Sequence, residues 1–146
     1  MNSNEIEILF VEDNPDDAEL TLKALKKNKI ANKVFLVGDG EEALDFIFAK
    51  GKFTGRNTEQ NPKLILLDLK LPKIGGIEVL REIKANEKTK NIPVVVLTSS
   101  KEEMDIEKCY NLGVNSYIVK PIAFDMFMKV ISDLGMYWLI LNQPSI

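Results

Sequence analysis

The sequence predicts an α/β fold, a doubly wound, five-stranded parallel sheet in the order 2-1-3-4-5 (the flavodoxin-like arrangement). Three observations carry that expectation. Short β-rich runs alternate five times with stretches whose apolar residues recur at helical spacing. Two of the runs, at 64–67 and 93–97, are continuously apolar, as strands buried on both faces should be. A length of 146 residues suits one compact domain, and no repeat, low-complexity stretch or linker divides it. Crossovers should be right-handed.

Each element has its own signal. Residues 6–11, Ile-Glu-Ile-Leu-Phe-Val, read as the first strand. Asn14-Pro15-Asp16 punctuates, and Asp16 is placed to cap a helix to about Asn28, with Ala18, Leu22 and Leu25 on one face. Residues 34–37 form the second strand, and Gly38-Asp39-Gly40 is a turn. The next helix, 41–49, turns Ala43, Leu44 and Ile47 inward and carries Glu41 and Glu42 in its first turn, where acids suit the helix dipole. The polar stretch 50–62 reads as a surface loop, long for an α/β connection. After the third strand, 64–67, Gly75-Gly76 leads into a helix to about Asn86 with Ile77, Leu80 and Ile83 inward. The fourth strand is 93–97, followed by a helix at 102–112 that Gly113 stops. The fifth strand is 116–119. The last helix spans 124–141, with Gly135 interrupting it.

Composition excludes several classes of function. Nineteen basic against 22 acidic residues give a net charge of −3, without the basic stripe of a nucleic-acid-binding domain. Histidine is absent, which removes a histidine base, a Ser-His-Asp or Cys-His pair and a histidine metal site within the chain. The single cysteine, Cys109, makes no internal disulfide, which fits a reducing cytoplasm. The start lacks the basic region of a secretory signal, and the longest apolar runs are too short to cross a bilayer. The expectation is a cytoplasmic protein without membrane insertion or direct nucleic-acid contact.

The chemistry collects at the strand ends. The first strand runs into Glu12-Asp13, the third into Asp68, the fourth into Thr98-Ser99-Ser100 and the fifth into Lys120-Pro121. In a parallel sheet these points share one edge, and the 2-1-3-4-5 order sets the first and third strands together at the switch point where such folds bind ligands. Three carboxylates in one crevice repel each other unless one takes up a proton or a cation joins them. An all-oxygen donor set selects a hard cation, magnesium first, with manganese or calcium next. Lys120 adds a positive charge and Thr98 a hydroxyl donor. Such a group can serve phosphoryl transfer to a carboxylate, with metal and lysine offsetting charge on the equatorial oxygens.

Glu12-Asp13, Asp68 followed by Leu-Lys-Leu-Pro-Lys-Ile-Gly-Gly, Thr98 and Lys120-Pro121 resemble the pattern of response-regulator receiver domains of two-component signalling, over about residues 5–130. Glu-Asp-Asn-Pro-Asp-Asp at 12–17, the long loop before the third strand and Tyr137-Trp138-Leu139 further resemble the single-domain regulators that partner bacterial phytochromes. The resemblance implies that Asp68 accepts the phosphoryl group. It implies that Asp13 and Asp68 ligate Mg2+, Glu12 helps through water, and the Lys70 backbone carbonyl is a further ligand. Lys120 would bind a phosphoryl oxygen, Thr98 would hydrogen-bond another, Tyr117 would be the switching aromatic, and Pro121 would follow a cis bond. The implied partners are a sensor histidine kinase, of phytochrome type by the closer resemblance, and a downstream protein. The last helix and tail to 146 leave no room for an effector domain on this reading. The apolar segment 136–141 suggests homodimerisation.

Glu12 stands where aspartate is commoner, so its longer side chain puts direct ligation in doubt. Lys70 and Ser100, two residues beyond Asp68 and Thr98, line the family's route for attacking water. One rival is a pseudo-receiver that only binds other proteins; intact Asp13, Asp68, Thr98 and Lys120 count against it. A haloacid-dehalogenase-type hydrolase needs a second aspartate where Lys70 stands. A flavodoxin-like cofactor binder needs a phosphate-cradling loop where Glu12-Asp13 would repel the phosphate.

Overall fold

The computed structural model describes residues 6–30, 33–136 and 139. Five strands, β1 (Ile8–Val11), β2 (Val34–Val37), β3 (Leu64–Leu67), β4 (Val94–Thr98) and β5 (Ser116–Val119), alternate with five helices. These are α1 (Pro15–Lys27), α2 (Gly40–Ile47), α3 (Gly76–Ala85), α4 (Glu103–Asn111) and α5 (Phe124–Asp133). The sheet is parallel throughout, in the order β2-β1-β3-β4-β5.

Side chains alternate across a strand, and that period divides the interior into two cores. Leu9, Val11, Ile65, Leu67, Val94 and Val96 face α2, α3 and α4, where they meet Ala43, Ile47, Leu80, Ile83 and Cys109. Ile8, Phe10, Leu64, Leu66, Val95 and Leu97 face α1 and α5, where they meet Ala18, Leu25, Phe127 and Ile131. The three central strands β1, β3 and β4 are buried at every position, which explains why they are apolar throughout save for Thr98 at the end of β4.

Several details differ from the sequence reading. The first strand starts at Ile8 rather than residue 6, and β4 includes Thr98. Asn14, not Asp16, caps α1; its side chain accepts from the backbone N–H of Asp16 at 2.9 Å and of Asp17 at 3.0 Å. Pro15 explains the difference, since proline suits the first helical position and makes its predecessor the cap. The loop after α2 contains a 3-10 turn at Gly51–Phe53 and is anchored rather than loose. Arg56 donates to the carbonyls of Phe46 (2.6 Å) and Ile47 (2.9 Å) at the end of α2, and its guanidinium lies 4.4 Å from the Phe46 ring centre.

The last helix ends at Asp133 instead of running to 141. Gly135 takes φ +71°, and the N–H groups of Gly135 and Met136 bond back to Ser132 (3.0 Å) and Ile131 (2.9 Å). This is a Schellman stop, so the glycine terminates the helix. Of the apolar segment read as a dimer surface, Met136 and Leu139 are buried in the chain's own core. Tyr137, Trp138 and residues 140–141 lie outside the described residues.

Candidate active site

Register brings the acids together. Val11 pairs with Leu67, so the next residues, Glu12 and Asp68, leave the sheet side by side. Thr98 pairs with Val119, which sets Lys120 beside the end of β4. Continuing the alternation of β1, β3 and β5 sends Glu12, Asp68 and Lys120 toward the face that carries Phe10, Leu66 and Ile118, the face covered by α1. The Lys120–Pro121 peptide bond is cis.

Lys120 is the hub. Its ammonium contacts Glu12 Oε1 at 2.5 Å, Asp17 Oδ2 at 3.0 Å and Asp68 Oδ2 at 3.1 Å. Glu12 and Asp68 are buried and Asp13 is exposed. Glu12, Asp13 and Asp68 each offer a carboxylate oxygen, and these oxygens lie within 4.8 Å of one another. The other oxygen of Asp68 is turned toward the backbone, accepting from the N–H of Leu69 at 2.7 Å and of Lys70 at 3.4 Å.

Three carboxylates thus surround one ammonium, with Asp13 nearby in the acidic cluster, and the titration behaviour reflects the shortage of positive charge. Burial, with the charge of Asp68 added, pushes Glu12 up to about 7 against the pull of Lys120. Burial also works against the charge on Asp68, but hydrogen bonds from Thr98 and Lys120 outweigh it and hold that carboxyl below its ordinary value. Lys120 is likewise opposed by burial, yet Glu12, Asp17 and Asp68 raise it above the usual lysine range, so it stays charged. The donor set fits a small divalent cation: all oxygen, clustered, and carrying excess negative charge.

Thr98, fully buried, has its hydroxyl between Asp68 and the β4–α4 loop. It helps hold the Asp68 carboxyl down and accepts from the Ser100 N–H at 3.4 Å. Ser100 then donates to Asp105 in the first turn of α4 at 2.6 Å. The half-buried Tyr117 donates its phenolic hydroxyl to the Ser100 carbonyl at 3.0 Å. The region around Asp68 is therefore bonded, step by step, to α4 and β5.

The structure brings Glu12, Asp13, Asp68, Thr98 and Lys120 to one sheet edge and sets Tyr117 one bonded step away. Sequence reasoning missed Asp17 as a site residue. The sequence places it in the first turn of the helix that follows Glu12-Asp13, but only the packing of α1 turns it toward Lys120.

A five-stranded α/β sheet with clustered acids, a lysine and a hydroxyl at its carboxyl edge defines a receiver. The chain belongs to the response regulator receiver domain family, whose model matches residues 8–132. Among solved structures it is similar to the bacteriophytochrome response regulator RtBRR, at 51% identity and a TM-score of 0.83, covering 96% of this chain and 84% of that one. It is 40% identical to the response regulator Rcp1 of Synechocystis over 132 residues, 90% of this chain and 88% of that protein. The Mn2+-bound form of Rcp1 superposes with a TM-score of 0.75 at 38% identity, covering 96% of this chain and 99% of that one. The receiver domain of a Pseudomonas aeruginosa sensor histidine kinase, with magnesium coordinated in its active-site cleft, aligns at 30% identity with a TM-score of 0.70, covering 89% of this chain and 98% of that one. This chain is thus a two-component receiver homologous to phytochrome response regulators, and receivers partner with histidine kinases.

Proposed function

We propose that this receiver accepts a phosphoryl group on Asp68 from the phosphohistidine of a phytochrome-type sensor kinase and passes the signal to a downstream protein. The observation that carries the reading is the contact of Lys120 with Asp68 at 3.1 Å beside the Glu12–Asp13–Asp68 cluster. A carboxylate oxygen of Asp68 attacks phosphorus, the P–N bond breaks, and the leaving imidazole takes up a proton, leaving an acyl phosphate. Asp13 and Asp68 would hold Mg2+, or Mn2+, with Glu12 helping through water and the Lys70 carbonyl as a further ligand. Such an ion would supply positive charge against the oxygens of the transferring group. Lys120 binds one phosphoryl oxygen, and Thr98 turns its hydroxyl to another.

That turn gives the switch its mechanism. Thr98 abandons the Ser100 N–H, and the chain of bonds through Ser100 to Tyr117 and Asp105 carries the change to α4 and β5. The similarity to phytochrome response regulators supports the choice of kinase. No described helix is long and apolar enough to cross a membrane, and a cytoplasmic site of action accords with the free thiol of Cys109. Self-association and phosphoryl passage along a relay are the other routes for output; a concentration-independent monomer mass in both phosphorylation states would remove the first.

The test is intact mass after incubation with a small phosphodonor, with and without Mg2+, alongside Asp68→Asn. The expected result is a Mg2+-dependent gain of one phosphoryl group that the variant lacks. No gain in folded wild-type protein would leave a protein-binding module in its place.

A further inference from the structure

An ammonium has three N–H donors, and Lys120 directs them at three carboxylates from three parts of the chain. Two of these, Glu12 and Asp68, belong to the acidic cluster that fits a cation. The third, Asp17, does not. It stands on α1, its backbone N–H fixed by the Asn14 cap at 3.0 Å, and its side chain is 41% exposed at the mouth of the site. We propose that Asp17 is a positioning residue for Lys120, anchoring the ammonium from the α1 side while its other two partners are taken up by metal and phosphoryl group.

The argument follows the contacts. When Glu12 turns toward a bound cation, its bond to Lys120 weakens. When Asp68 becomes esterified, its carboxylate charge is gone and a phosphoryl oxygen takes its place. Asp17 alone keeps both its charge and its geometry through the reaction. A lysine stem has four rotatable carbons, and an ammonium left to one moving partner loses the orientation on which transfer depends. Tethered to α1, Lys120 is already aimed when the phosphodonor arrives. The inference rests on the reading of Asp68 as acceptor and of Lys120 as its phosphoryl-binding partner.

The experiment measures phosphorylation of the full chain by intact mass, with acetyl phosphate as donor at saturating Mg2+, over a range of donor concentration. Asp17→Ala should lower the limiting rate roughly tenfold, the size of one lost charge-assisted contact at a partly exposed position. Asp17→Asn, which keeps an acceptor oxygen in place, should recover part of that loss. The half-saturating donor concentration should not rise in either variant, because each removes a negative charge from the mouth. Mg2+ affinity should stay within about twofold of wild type, since Asp17 lies outside the cluster. A structural defect alone would not separate the limiting rate from donor affinity in this way. A limiting rate that is unchanged or faster in both variants overturns the proposal. So does an equal loss of Mg2+ affinity, which would place the effect in the acidic cluster. If wild-type protein takes up no phosphoryl group, the fault lies with the functional reading instead; uptake by wild type and variants alike isolates the fault to Asp17. Should Asp17→Ala not fold, the isosteric Asp17→Asn carries the comparison.

Discussion

Gly75 and Gly76 are adjacent, but alanine at the two should have very different consequences. A Cβ on Gly76 would stand 2.2 Å from the Asp68 carbonyl oxygen and 2.5 Å from the Leu69 Cα, both backbone atoms that cannot rotate aside. A Cβ on Gly75 meets nothing closer than 3.9 Å, and its φ of −68° is ordinary for any residue. Overpacking costs about 1–3 kcal/mol, and a clash with backbone belongs at the upper end. Alanine returns at most about 1 kcal/mol of helix propensity, less at the first helical turn. The net expectation for Gly76→Ala is a loss of about 2 kcal/mol, or a fall of roughly 4–8 °C in Tm for a chain of this size. Gly75→Ala weakens only an N-cap position and should cost less than about 1 kcal/mol. Urea denaturation at matched pH reads both, and the midpoint should move with the slope unchanged. Because the displaced backbone carries Asp68, phosphorylation of Gly76→Ala should fall as well, while that of Gly75→Ala holds. A Gly76→Ala protein within about 0.5 kcal/mol of wild type, or a Gly75→Ala protein less stable than it, would refute the reasoning.

Asn14→Ala removes the acceptor for two backbone N–H groups of α1 and should cost about 1 kcal/mol, read from the same denaturation curves. Arg56→Ala leaves the carbonyls of Phe46 and Ile47 without their guanidinium; it should cost about 2 kcal/mol and make the 50–62 loop more sensitive to limited proteolysis, with phosphorylation unaffected. Cys109 is fully buried, and burial pushes its thiol up to about 11. The reactive thiolate is therefore scarce at pH 8, and native protein should resist a disulfide-exchange reagent that labels it at once in urea; rapid labelling under native conditions would contradict the burial.

Much of the fold was legible because parallel sheets leave strong marks. β3 and β4 are covered on both faces, so they are apolar up to Thr98, the last residue of β4, and the site residues fall at strand ends where topology collects them. The failures have local causes. Reading Asp16 as the cap ignored Pro15, whose ring favours the first helical position and so hands the cap to Asn14. Extending the last helix to 141 treated Gly135 as an interruption, although glycine at positive φ ends helices. The pairing of Asp17 with Lys120 depends on the rotational phase of α1 against the sheet, a property of packing that no local pattern encodes. The anchoring of the 50–62 loop was hidden likewise, because Arg56 binds backbone carbonyls, and those look the same in every sequence.

The ammonium of Lys120 meets acids that lie 108, 103 and 52 positions earlier in the chain. During synthesis Glu12, Asp13, Asp17 and Asp68 all emerge before it, so a growing chain holds the acids without the cation that joins them. Only after β5 has been made and has docked against β4 does the cluster receive its lysine. The charge network of Glu12, Asp17, Asp68 and Lys120 is therefore complete only in a molecule whose last strand is in place.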